Sequence, residues 1–135
     1  MRILAVDDNK ETLILMAKIL EPYGDCAIAD NGEAALQLFQ NAHTNGHPFH
    51  LIFLDIMMPG LSGHDVLKRI REIEREQRSP ETNAKIAMLT ALGNPKNRFS
   101  SFQEGCEYYL VKPIIKSEII AVINQTEEWF SSFTN

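Results

Sequence analysis

The chain has 135 residues and a mass of 15.3 kDa, which is room for a single domain that buries roughly two thirds of the surface its unfolded form exposes. Hydrophobic residues make up 44% and charged residues 23%, the balance of a globular protein and not of a disordered or fibrous one. Thirteen Lys and Arg against eighteen Asp and Glu leave a net charge of -5, which argues against a nucleic-acid partner held by phosphate neutralisation and suits a cationic or metal-bearing one.

The opening residues, MRILAVDD, reach two acids after only a short apolar run. No signal peptide is expected, no apolar stretch is long enough to span a bilayer, and the expected location is the cytoplasm. RILAV (2–6) reads as a buried strand, and Leu13, Met16, Ala17 and Leu20 then fall at i, i+3, i+4 and i+7, the stripe of an amphipathic helix. CAIA (26–29) is the second strand. Asp30 followed by Glu33 reads as a capping box opening a second helix striped by Ala35, Leu38, Phe39 and Ala42. His43, His47 and His50 lie close together, but Gly46 and Pro48 break the helix that would align the first two, so a solvated loop is expected there in preference to a transition-metal site.

LIFL (51–54) is the third strand, ending on Asp55 and turning at once through Pro59 and Gly60. Gly63, Val66, Leu67 and Ile70 stripe the third helix, and EREQRSPETNAK (74–85) reads as its end plus a solvated surface connection. KIAML (85–89) is the fourth strand. A weaker fourth helix carries Phe99 and Phe102 and stops near Gly105, which tolerates the left-handed turn. YYLV (108–111) is the fifth strand, and Ile119, Val122, Ile123 and Thr126 stripe the last helix. In the tail beyond it, Trp129, Phe130 and Phe133 are expected to pack within the chain. Cys26 and Cys106 share no C-x-x-C spacing and read as free, reduced thiols.

Strands alternating with helices predict an α/β fold with a parallel sheet covered on both faces and right-handed crossovers. No linker, repeat or low-complexity segment divides the chain, so one domain over residues 1–135 with no second domain is expected. In such a sheet, ligands bind beyond the carboxyl ends of the strands. The first strand ends in Asp7 and Asp8, the third in Asp55, the fourth in Thr90 and the fifth in Lys112. Carboxylates brought together repel, so the site must hold a proton or bind a cation. A divalent metal resolves the conflict, and all-oxygen ligands favour Mg2+ or Mn2+ over zinc. Lys112 and the Thr90 hydroxyl are then placed to contact the oxygens of a phosphoryl group.

This arrangement resembles the receiver domain of two-component response regulators, in its single-domain, chemotaxis-regulator-like form, over nearly the whole chain. LAVDDN is similar to the family's first strand with its acidic pair, LIFLDIMMPGLSG to the phosphoacceptor strand and loop, MLTA to the switch-threonine strand, and EGCEYYLVKP to the last strand with its Lys-Pro signature. The resemblance implies a flavodoxin-like, doubly wound (βα)5 fold with strand order 2-1-3-4-5, which puts Cys26 and Cys106 at opposite edges. It implies that Asp55 is the phosphoacceptor, that Asp7, Asp8, Asp55 and the Met57 backbone carbonyl hold Mg2+, and that Thr90 and Lys112 contact the phosphoryl group. It also implies that Thr90 and Tyr109 form the switch that alters the face of the fourth helix, fifth strand and fifth helix, and that Pro113 follows a cis peptide.

By the same resemblance the phosphoryl group comes from a histidine kinase or a histidine phosphotransfer protein. The chain is then a signalling switch that catalyses only its own phosphorylation and dephosphorylation, and it acts through an output protein. Direct nucleic-acid or membrane binding is not expected, and the assembly is a monomer or a phosphorylation-dependent dimer. Whether the chain stands alone or belongs to a hybrid kinase or longer regulator is open at this stage. The segment between Asp55 and Thr90 is longer than the family's usual one, with the extra residues near Arg75 to Ala84. Two other classes fit less of the chain. A small Mg2+-dependent phosphohydrolase needs a second acid or base over the nucleophile, where the sequence offers only IMMPGLSG. An interaction module without the switch leaves the full set of matching polar positions unexplained.

Overall fold

The computed structural model describes residues 1–77, 82–91 and 93–133. In chain order the elements are β1 (Arg2–Val6), α1 (Lys10–Leu20), a 3-10 turn (Glu21–Tyr23), β2 (Asp25–Ala29), α2 (Gly32–Thr44), β3 (Leu51–Leu54), α3 (Gly63–Gln77), β4 (Lys85–Thr90), α4 (Pro95–Glu104), β5 (Tyr108–Val111) and α5 (Lys116–Ser131). The strands form one parallel sheet in the order β2-β1-β3-β4-β5, with Val6 beside both Ala29 and Leu54, Leu54 beside Met88, and Thr90 beside Val111.

Strand side chains alternate between two cores, which is why the runs are apolar throughout. Leu4, Val6, Ile52, Leu54, Ile86 and Met88 meet Phe39 of α2 and Leu67 and Ile70 of α3 on one face. Ile3, Ala5, Leu51, Phe53, Ala87 and Leu89 meet Leu13, Met16 and Leu20 of α1 and Ile119, Val122 and Ile123 of α5 on the other. With the central strands β1, β3 and β4 buried on both sides, only their ends are open to solvent chemistry, while edge strand β2 leaves Ile28 exposed.

Two local readings of the sequence, the α2 cap and His50, need correction, and two, α4 and the tail, gain detail. The cap of α2 is Asn31, not Asp30: extended backbone at Asn31 points its Oδ1 at the Ala34 N–H, 2.8 Å away, while Asp30 accepts from the Asn31 amide. Helix α4 does form, capped by Asn94 and closed by Gly105 at φ 113, but it turns Ser101 into the protein and leaves Phe99 (64%) and Phe102 (43%) exposed. The Ser101 hydroxyl has no hydrogen-bond partner among the described residues. His50 is not solvated; its Nδ1 accepts the Arg2 N–H at 2.9 Å and its ring meets Phe130 edge-on. Helix α5 runs on into the expected tail, where Trp129 stacks under the Lys85 ammonium at 3.7 Å and Phe133 packs on Trp129, so these aromatics do pack within the chain.

The largest departure is at the foot of the sheet, where the expected solvated connection carries a buried acid. Glu74 is 2% exposed and pairs with Arg71, whose guanidinium also donates to the carbonyls of Ala84 and Gly105 and to the Glu107 carboxylate. Glu74 accepts the Ala84 N–H and Glu107 the Ile86 N–H, so this network ties α3 to the starts of β4 and β5. Residues 78–81 of that connection lie outside the described residues. Cys26 and Cys106 are free, and burial pushes the Cys106 thiol up to about 12, as suits an unreactive buried group.

Candidate functional site

The carboxyl ends of β1, β3, β4 and β5 lie side by side, so the residues immediately after them share one edge. Parallel hydrogen bonding continues one step past the strands: Asp7 N–H donates to the Ala29 carbonyl, Asp55 N–H to the Val6 carbonyl, and Lys112 N–H to the Thr90 carbonyl. The backbone at the acids is thus held by the sheet itself, which gives the side chains fixed starting points.

Asp7 (3%) and Asp55 (5%) are buried, Asp8 is exposed, and one carboxylate oxygen from each of the three lies within 4.8 Å of the others. Lys112 Nζ stands 2.7 Å from Asp7 and 3.5 Å from Asp55, bridging the two buried carboxylates. Asp7 is oriented further by the Asn9 N–H at 2.9 Å, and Asp55 accepts the Met57 N–H at 3.3 Å. Thr90 is fully buried at the end of β4.

Three carboxylates face one ammonium. Burial, and then the charge of Asp7, push the Asp55 carboxyl above the usual aspartate range, with Lys112 opposing both. Burial alone would release the Lys112 proton more easily, but the bond to Asp7 and the charge of Asp55 outweigh it and hold the ammonium above the usual lysine range. An edge with this excess of negative charge fits a hard cation.

The other expected positions are also located. Tyr109 is 8% exposed on β5, with the Arg98 guanidinium 5.2 Å from its ring centroid, and the Lys112–Pro113 peptide is cis. Met57 is 60% exposed on the loop after Asp55. The three histidines of the 43–50 segment do not converge, and among the described residues the only group of three or more His, Cys, Asp or Glu placed to share a metal is Asp7, Asp8 and Asp55. Two contributors were not singled out in the sequence for this site. Asn9 both caps α1 through the Thr12 N–H and fixes Asp7, a double role signalled by its place after two acids and before a helix. Gly63 was read as part of the α3 stripe, yet its backbone lies directly on that of Asp55.

A doubly wound parallel sheet with acids at the strand ends and a lysine bridging them defines a class of α/β domain with a charged site where such sheets bind ligands. The family described as the response regulator receiver domain matches residues 3–124, and the chain belongs to that family. Receiver domains of two-component systems are phosphoryl acceptors in signal transduction. The chain is 36% identical over 123 residues to the sensor histidine kinase GacS of Pseudomonas protegens, covering 90% of this chain and 13% of that protein. Among solved structures it is similar to the chemotaxis protein CheY4 of Vibrio cholerae, with TM-score 0.78 and 25% identity over 93% of this chain and 97% of that one. It is also similar to a chain of the CheX-CheY-BeF3-Mg+2 complex of Borrelia burgdorferi, with TM-score 0.80 and 25% identity over 94% of this chain and 89% of that one. The chain therefore spans a small part of the full-length kinase and nearly all of the CheY-like structures.

Proposed function

We propose that Asp55 accepts a phosphoryl group from a phosphohistidine, on a histidine kinase or a histidine phosphotransfer protein, and that the resulting charge is read through Thr90, Lys112 and Tyr109. The observation that carries this reading is the Lys112 bridge between Asp7 and Asp55, which joins the ends of β1, β3 and β5 at one point.

Asp55 acts as nucleophile. A bond forms between its carboxylate oxygen and phosphorus while the phosphorus–nitrogen bond to the donor histidine breaks, and the imidazole leaves with the electron pair and takes up a proton. Phosphoryl transfer asks for position and charge more than for covalent chemistry, and the sheet supplies position by holding the Asp55 backbone to Val6. Bound Mg2+ would be held by Asp7, Asp8, Asp55 and the Met57 carbonyl, and would supply charge against the phosphoryl oxygens; the clustering of the three carboxylates supports these ligands, and the Mg2+ named in the Borrelia complex supports the choice of metal. Lys112 stands 3.5 Å from Asp55 and is placed to pair with a transferred phosphoryl oxygen, with the Thr90 hydroxyl as a second donor.

A phosphoryl group of about two negative charges then draws Thr90 and Lys112 inward and alters the packing of Tyr109 against α4. On this reading the domain catalyses only its own phosphorylation and dephosphorylation, works in the cytoplasm where ATP-charged kinases operate, and acts through a partner docking on α4, β5 and α5. The test is intact-mass measurement after incubation with acetyl phosphate, with and without Mg2+, beside Asp55→Asn. A single Mg2+-dependent adduct on the wild type alone is expected. An adduct of equal extent on the variant sinks the assignment of Asp55.

A further inference from the structure

We infer that Gly63 is a positioning residue for the phosphoacceptor: the missing side chain at the first residue of α3 sets how the Asp55–Met57 backbone sits beneath the metal and phosphoryl site. This inference rests on the reading of Asp55 given above.

The Gly63 N–H donates to the Ile56 carbonyl at 2.8 Å, so α3 begins by hydrogen-bonding to the residue after the acceptor. A Cβ placed on Gly63 would lie 2.2 Å from the Asp55 carbonyl oxygen, 2.7 Å from Ile56 Cα and 2.8 Å from the Asp55 carbonyl carbon. All three are backbone atoms, so no rotamer change relieves the overlap. Gly63 is not among the positive-φ glycines, so what it provides is room and not an unusual backbone conformation.

On its other side the Asp55 backbone is tied to β1 through the Val6 carbonyl. Asp55 therefore lies between a strand that holds it and a helix start that touches it, and a methyl group at 63 must tilt or lift the Asp55–Ile56 peptide. That peptide leads directly to Met57, whose N–H bonds to Asp55 Oδ1. The carboxylate and the Met57 carbonyl therefore shift together relative to Asp7 and Asp8. A second glycine supports the same loop from α2. A Cβ on Gly32 would lie 2.7 Å from Leu61 Cβ, 2.9 Å from Val66 Cγ2 and 3.0 Å from the Leu61 carbonyl oxygen. Only Val66 Cγ2 can move by a side-chain rotation; Leu61 Cβ and its carbonyl move with their backbone, so a side chain at 32 also pushes on the loop that follows Asp55.

Gly63→Ala is the test, with Gly105→Ala as a strained control at the foot of the sheet, where the backbone is left-handed and a Cβ meets Arg71 at 3.1 Å. Mg2+ half-saturation is read from amide chemical shifts, the metal-free Asp55 and Met57 amides are compared in the same spectra, and acetyl phosphate labelling is followed by intact mass. Gly63→Ala is expected to weaken Mg2+ binding about tenfold and to slow labelling about a hundredfold, the cost of a misplacement of about 1 Å at a reacting centre. Gly105→Ala is expected to lose thermal stability while its Mg2+ half-saturation stays within about twofold of wild type. Wild-type Mg2+ affinity in folded Gly63→Ala overturns the inference. Should that variant lack a dispersed amide spectrum, Gly32→Ala decides: weakened Mg2+ binding supports the inference and unchanged binding overturns it. A wild type that neither binds Mg2+ nor takes a phosphoryl group fails the reading of Asp55 and takes this inference with it.

Discussion

The two ends of the sheet both bury carboxylates, and they use them in opposite ways. At the foot, Glu74 and Glu107 face one guanidinium and two backbone N–H groups, and Arg71 donates besides to two carbonyls. At the carboxyl edge, Asp7, Asp8 and Asp55 face a single ammonium and the N–H groups of Asn9 and Met57. Two carboxylates share the cation at the foot and three share the one at the edge, so the edge carries the larger excess of negative charge. Burial of an acid thus says little about function until its partners are counted. The foot's set joins α3, β4 and β5; the edge's leaves negative charge that suits a cation.

Breaking each end should separate stability from chemistry. The largest effect is expected from Asp55→Asn, which should remove the Mg2+-dependent phosphoryl adduct altogether, as read by intact mass, with a native circular dichroism spectrum. Lys112→Met sharpens the edge's electrostatics because its two consequences run in opposite directions. Loss of the ammonium should slow labelling about a hundredfold and tighten Mg2+ binding, since the one cation that competes for Asp7 and Asp55 is gone. Weaker Mg2+ binding in that variant would contradict the charge balance described here.

At the foot, Arg71→Met leaves Glu74 buried without its cation and should cost about 3 to 5 kcal/mol in denaturant unfolding. Labelling of the folded protein should continue, because none of the edge residues touches Arg71. The smallest effect concerns pH. The Asp55 carboxyl is held above its usual range, so ionising it costs stability: the fold should lose stability relative to Asp55→Asn as pH rises through and above the ordinary carboxylate range. Metal-free Asp55→Asn should therefore melt higher than wild type near neutral pH, with the gap closing on acidification below that range. A gap that widens on acidification would reverse the assigned direction.

Much of this was legible in the sequence because it depends on short-range pattern. The strands announce themselves as apolar runs ended by acids, Thr90 or Lys112, and their parallel pairing follows from the helices between them. The edge was legible because parallel strands bring their carboxyl ends together whatever their distance along the chain. What was not legible depends on atoms meeting across the fold. Arg71 and Glu107 are separated by 36 positions, and in the sequence both look like ordinary solvated charges. Helix α4 offers two phenylalanines for a core and instead buries Ser101, a choice no periodicity encodes. Asp30 and Asn31 are both good caps, and only the extended backbone at Asn31 decides between them. Gly63 fits a helical stripe, and its contact with the Asp55 backbone is visible only in three dimensions.

The central claim is that Asp55, placed by β3 and bridged to Asp7 through Lys112, is the residue proposed to accept the phosphoryl group. Borohydride reduces an aspartyl phosphate to homoserine, so the most direct measurement is reduction of the acetyl phosphate-treated protein followed by peptide sequencing by tandem mass spectrometry. Homoserine at position 55 and at no other aspartate is the predicted result. Homoserine at position 7 or 8, or none in a protein that carries the adduct, would contradict the account.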